Sequence, residues 1–108
     1  MSGVFSEREK AFEEKWAHDE ELQFKVLARR NKLLGLWAAG EMGKTGAEAE
    51  AYARTVVQAE LARDGEAAVL RKIKADFDTA GIARTDHLIV KKMDDYLSTA
   101  KDEVFREG

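Results

Sequence analysis

The sequence contains no cysteine and no proline. Without thiols there is no disulfide, no thiolate metal site and no cysteine nucleophile. A small domain that needs no covalent staple fits a reducing compartment. Without proline nothing breaks a long helix by force, since an internal proline costs a helix about 3 kcal/mol. Histidine occurs only at His18 and His87, too sparsely to assemble a Ser-His-Asp or similar nucleophile constellation, so no enzymatic activity is expected. No apolar run approaches the roughly 18 residues that a membrane span needs, so direct membrane insertion is not expected. Nor is there an excess of basic charge: the formal net charge is −3 with acids and bases interleaved, whereas nucleic-acid binders carry a basic stripe. The single basic cluster, Arg29, Arg30 and Lys32, spreads over different faces of a helix and is expected to be solvated. Met1–Phe12 is charged from Glu7 onward and lacks the apolar stretch of a secretory leader. A cytoplasmic protein is the simplest expectation.

What is present is helical period. The 108 residues suit one domain, and the 44% that are hydrophobic suffice for a modest core. Ser6-Glu7-Arg8-Glu9 is a capping box, in which the serine hydroxyl and the glutamate carboxylate each satisfy a backbone N–H of the first turn. From there the pattern runs to Gly40 and predicts one helix of about 34 residues, roughly 50 Å at 1.5 Å per residue. Its halves differ. The second carries Phe24, Leu27, Leu33, Leu34, Leu36 and Trp37, dense enough for core. The first carries Phe12 and Trp16, with Phe5 just ahead, among seven acids and three bases between Ser6 and Glu21. Phe5, Phe12 and Trp16 fall on one narrow stripe, too thin to bury much against the chain's own core. Residues 1–20 are therefore expected to project, fray or dock elsewhere, and residues 22–108 to form the bundle.

Gly40 and Gly43 are expected to stop the first helix. Thr45-Gly46-Ala47-Glu48 reads as a second capping box opening the next, with Ala49, Tyr52, Ala53, Val56 and Val57 inward. Gly65 breaks the chain, and a third helix carries Val69, Leu70, Ile73 and Phe77. Gly81 ends it as a left-handed residue, and Thr85 caps a fourth with the stripe Ile89, Met93, Tyr96, Leu97, Ala100 and Val104. No segment alternates with a strand's period of two. Short connections favour antiparallel neighbours, so the fold class is all-α, a four-helix bundle with a long, partly projecting N-terminal helix. Gly35, inside the first helix, is best explained by close helix–helix approach.

Three local patterns imitate chemistry. Gly40-Glu41-Met42-Gly43-Lys44-Thr45 resembles the end of a phosphate-binding loop, but the required glycine at position 38 is Ala38 and a helix precedes it instead of a strand. Glu14, His18 and Glu21 share a helix face at a spacing that suits a divalent metal, yet no second cluster completes the ligand set. A solvated, salt-bridged face is the better account, and no metal is expected. Asp94 and Asp95 are adjacent, and adjacent helical residues point about 100° apart and share no site. Recognition by surface remains: the amphipathic start of the first helix suits a groove on a partner.

The stretch Arg8-Glu9-Lys10-Ala11-Phe12-Glu13-Glu14-Lys15-Trp16-Ala17-His18-Asp19-Glu20-Glu21-Leu22, continued by Ala28-Arg29-Arg30-Asn31-Lys32-Leu33-Leu34-Gly35-Leu36-Trp37-Ala38-Ala39, resembles the zeta subunit of alphaproteobacterial F-type ATP synthases. Thr45–Ala53 and, more weakly, the last helix resemble it too. The resemblance implies a four-helix bundle that inhibits ATP hydrolysis mechanically. The N-terminal segment would enter an interface among the alpha, beta and gamma subunits and block rotation in the hydrolysis direction. On that reading Phe5, Arg8, Phe12 and Trp16 are the partner-binding residues. The family more often carries an acid after the phenylalanine, where this chain has Ser6. No cofactor is implied. The free protein would be a monomer, held at the inner membrane only through the synthase. The alternative is a helical interaction or assembly factor without inhibitory activity.

Overall fold

The computed structural model describes residues 6–107. They form five helices: α1 (Glu7–His18), α2 (Glu20–Glu41), α3 (Gly46–Ala59), α4 (Gly65–Thr79) and α5 (Asp86–Glu107), and among the described residues there is no strand. The fold is all-α, a bundle built on α2 to α5.

The expected first helix is two helices, and Asp19 divides them. Asp19 is extended, at φ −104° and ψ 106°. Its N–H closes α1 on the Lys15 carbonyl (2.8 Å), and its carboxylate accepts from the Leu22 N–H (3.1 Å), capping α2. A short acidic side chain competes for backbone amides and stabilises an N-cap where glutamate would continue the helix. The Gln23 side chain donates to the Trp16 carbonyl (2.8 Å), satisfying one of the acceptors that the break leaves over.

The other boundaries follow local chemistry. Ser6 Oγ accepts from the Glu9 N–H (3.2 Å) and Glu9 Oε1 from the Ser6 N–H (3.0 Å), the complete capping box. Gly81, at φ +74°, reverses the chain after α4, and the Ile82 N–H reaches back to the Phe77 carbonyl (2.8 Å) in a Schellman closure. Thr85 Oγ1 accepts from the Leu88 N–H (3.1 Å) at the start of α5. The second expected box does not form. Thr45 is the N-cap of α3 but makes no side-chain bond, because Gly46 at φ +54° departs from the helical turn that the box requires. Gly40 lies within α2, and the reversal falls to Gly43 at φ +79°.

The main core joins Leu34 and Ala38 of α2 to Val56, Val69, Ile73, Phe77, Ile89 and Met93, with Trp37 edge-on against Phe77 at 5.7 Å. Gly35 lies where α2 and α3 nearly touch: a Cβ there would stand 2.7 Å from Ala53 Cα. A second, smaller core of Val26, Ala100 and Val104 fills the other end, where Phe12, Trp16, Leu22 and Leu97 pack on it.

Two placements reverse the sequence expectation. Phe24, expected in the core, is 61% exposed. Arg30, expected in solvent, is 1% exposed. Its Nε donates to Asn31 Oδ1 (2.6 Å) and its Nη2 to Glu60 Oε1 (3.2 Å) and to Glu66, while Asn31 Nδ2 donates to the same Glu60 oxygen (2.8 Å). The buried guanidinium thus pins α2 to the C-cap of α3 and the first turn of α4, with Nε and Nη2 both bonded to side-chain oxygens.

Candidate interaction surface

The aromatic stripe lies on α1, the helix with no fully buried residue. Of the four expected anchors, Phe5 lies outside the described residues. The other three turn toward the end of α5. Phe12 meets Phe105 edge-on, with ring centroids 5.3 Å apart and an interplanar angle of 75°, a favoured aromatic geometry. The Arg8 guanidinium stands over the other part of that contact, 5.2 Å from the Phe105 centroid. Trp16 packs against the smaller core, and the Lys101 ammonium lies 4.6 Å from its ring centroid, within cation–π range. Lys101 also reaches Glu13 Oε1 at 3.7 Å. Phe12 and Trp16 are half-buried and Arg8 is exposed. The structure therefore brings Arg8, Phe12 and Trp16 together along one face, against two α5 residues that the sequence reading did not single out.

The seat is shallow. A groove of about 460 Å³ runs along one side of α1, lined by Glu9, Glu13, Asp94, Ser98, Lys101 and Asp102 among others. A second of about 300 Å³ runs along the other, lined by Arg8, Ala11, Lys15, Leu22 and Lys25 around Phe12. The signal for Phe105 was in the sequence: a large aromatic just off the Ile89–Val104 stripe, at the end of α5, asks for something outside the four-helix core to cover it.

The other candidates resolve individually. Glu14 and His18 lie on α1 while Glu21 lies in the first turn of α2, so the break at Asp19 takes Glu21 off their helix face; all three are exposed around the joint. Among the described residues no group of three or more His, Asp or Glu is placed to hold a metal. In the phosphate-loop lookalike the backbone amides are spent on carbonyls: Gly43 N–H on Gly40 (3.0 Å) and Lys44 N–H on Ala39 (2.9 Å), which leaves no cradle for an anion. Asp94 and Asp95 are exposed, and Asp95 accepts from Lys91 Nζ (3.0 Å). Tyr52 OH donates to Asp76 Oδ2 (2.7 Å), with Lys72 bonded to the same oxygen (2.9 Å). Burial first, and then that bond, push the Tyr52 hydroxyl well above its ordinary value, so it stays a donor that ties α3 to α4. One apolar groove remains outside these clusters, formed by Phe24, Leu27, Val57 and the 69% exposed Leu61. No helix is long and apolar enough to cross a membrane among the described residues.

What the described residues define is a small all-helical protein in which an aromatic stripe on α1 packs at the edge of the bundle, across a break at Asp19. The particular kind follows from comparison: the chain belongs to the ATPase inhibitor subunit zeta family, whose model matches residues 1–103. A protein with a solution NMR structure is 40% identical to it; the match covers 81% of this chain and 99% of that one, with a TM-score of 0.71. No curated protein matches the chain significantly. Membership of a family of inhibitor subunits supports a regulatory role toward an ATPase.

Proposed function

We propose that the protein binds the catalytic head of the F-type ATP synthase and blocks ATP hydrolysis, with its N-terminal segment entering an interface of the alpha, beta and gamma subunits. The observation that carries this is the construction of α1. It presents Arg8, Phe12 and Trp16 along one face, contributes no fully buried residue, and is joined to the bundle through the single extended residue Asp19. A helix so placed leaves the main core intact when it engages another surface. The action is mechanical: a helix wedged against a rotating subunit stops rotation without chemistry of its own. Aromatic and arginine side chains dominate binding hot spots, so Phe5, Phe12, Trp16 and Arg8 are the anchors. Arg8 brings a planar fork suited to a carboxylate at the interface. The protein reaches the inner membrane as a peripheral component of the synthase and is a monomer when free.

The test is an inhibition titration of ATP hydrolysis by the isolated catalytic head. Phe5→Ala with Phe12→Ala is expected to weaken inhibition by at least about tenfold, equivalent to about 1.4 kcal/mol. Because Phe12 packs on Phe105, a paired thermal melt should show a small loss, on the order of 1 kcal/mol. An unchanged inhibition constant would remove these rings from the interface and leave the non-inhibitory assembly factor as the better account.

A further inference from the structure

In the free chain the stripe assigned to the partner is already in use. Phe12 lies on Phe105, Arg8 over the same ring, and Trp16 on the Val26–Ala100–Val104 core beneath Lys101. One set of side chains cannot fill this seat and a pocket on another protein at once. The joint is built so that the seat can be left. α1 has its own N-terminal capping box, and its last turn is closed by the Asp19 N–H. α2 has its own cap in the Asp19 carboxylate. Apart from Asp19 itself, the joint is crossed by one neutral hydrogen bond, Gln23 to the Trp16 carbonyl (2.8 Å). Lysine and glutamate tie the far side of α1 down only through Lys101 and Glu13, both at the edge of an open groove.

We propose that α1 is a self-docked latch: the surface made by Leu22, Val26, Leu97, Lys101, Val104 and Phe105 holds the inhibitory stripe closed, and release about Asp19 is a required step before a partner takes it. This rests on the reading that α1 carries inhibition. Binding then proceeds from the released fraction, and the apparent dissociation constant is the intrinsic one divided by that fraction. A helix of α1's length is marginal alone in water, so the latch also keeps it helical and keeps its aromatic face from non-specific association.

The latch inverts the usual sign of a mutation. Phe105→Ala removes a half-buried ring from the seat and leaves every α1 residue of the proposed binding stripe unsubstituted. It should tighten inhibition of the catalytic head by at least about threefold, by raising the released fraction. A merely structural role for Phe105 gives no tightening. The opposite perturbation uses the absence of native cysteine. Glu13→Cys with Lys101→Cys places the chain's only two thiols where the side chains now meet, and a short reducible cross-linker joins them. The cross-linked protein should inhibit at least about tenfold more weakly than the same protein after reduction. Hydrogen exchange of the α1 amides in the free protein reads the latch without a partner: Phe105→Ala should speed it and the cross-link slow it.

Equal inhibition by cross-linked and reduced protein would overturn the latch, as would a folded Phe105→Ala variant whose inhibition is unchanged or weaker. So would α1 exchange indifferent to Phe105→Ala. The underlying reading fails separately, through the Phe5/Phe12 double variant: should that variant inhibit as the parent does, α1 is not the binding element, whatever the exchange data show about its docking.

Discussion

Gly35→Ala sets two forces against each other in one methyl group. Alanine is the better helix former by about 0.8–1 kcal/mol, and the position is inside α2. Against that, the new methyl would stand 2.7 Å from Ala53 Cα, 3.1 Å from Ala53 Cβ and 3.2 Å from Val56 Cγ2. The nearest of these is backbone, so no rotamer change relieves it, and α3 must retreat from α2 by roughly an ångström in a close-packed interior. Over-packing of this kind costs about 1–3 kcal/mol, and the retreat also opens the contacts of the buried Ala53 and Val56. Packing wins, for a net loss of about 1–2 kcal/mol. At about 4–8 °C per kcal/mol for a chain of this size, the melting temperature should fall by roughly 5–15 °C. Gly40→Ala is the internal control. It is the same substitution in the same helix, and its methyl would meet nothing within 4 Å. Propensity acts alone there and should raise stability by about 0.5–1 kcal/mol. Thermal and urea melts followed by far-ultraviolet circular dichroism read both. If Gly35→Ala matches or exceeds the parent in stability, the α2–α3 contact is compliant and the close-approach argument is wrong.

Two further outcomes are expected. Arg30→Met leaves Asn31 Oδ1 without its donor and Glu60 with only the Asn31 amide; breaking a buried pair costs about 3–5 kcal/mol, but the exposed Glu66 rehydrates, so a loss of about 2–4 kcal/mol in urea midpoint analysis is expected. A loss below about 0.5 kcal/mol would show the network to be dispensable. The Glu107 carboxyl is held below its ordinary value by hydrogen bonds from Arg29 first and Lys25 second. Since the folded value lies below the unfolded one, this contribution is present above the ordinary value of 4.5 and is lost as pH falls through the folded value. Glu107→Gln should therefore be less stable than the parent at neutral pH and converge with it in acid; a gap that stays constant across that range refutes the assignment.

The elements legible in the sequence were those fixed within a turn or two of chain. The Ser6 box, the reversal at Gly81 and the cap at Thr85 depend on residues three or four apart, and each formed as expected. Gly35 was legible because a glycine amid helix formers needs a reason, and a close neighbour supplied it. Asp19 was missed although its signal is local: an aspartate followed by Glu20 and Glu21 is an N-cap with an acidic first turn. The uninterrupted run of helix formers around it, with neither glycine nor proline, hid the cap. Arg30 could not have been read locally. Its partners Glu60 and Glu66 stand at the end of α3 and in the first turn of α4, and only the tertiary fold decides which of three nearby cations is covered. Phe24 failed for the converse reason: apolar density predicts burial only if a neighbour covers that part of the helix, and none does.

The same distinction explains the site. The stripe was legible from spacing, and its thinness agrees with an α1 that has no fully buried residue, although α1 packs on α5 instead of projecting from the described bundle. What the stripe rests on, Phe105 and Lys101, is set by how α5 ends relative to the joint. The two cores divide the labour accordingly. Helices α2 to α5 share the larger one, so none of them can leave without unfolding the bundle. Helix α1 touches only the smaller one, at its rim. Under the proposed role, a helix given up to a partner has to contribute little to its own fold, and a thin aromatic stripe behind an aspartate joint meets that condition. Under the proposed latch, a denser stripe would hold α1 more firmly and weaken inhibition by shrinking the released fraction.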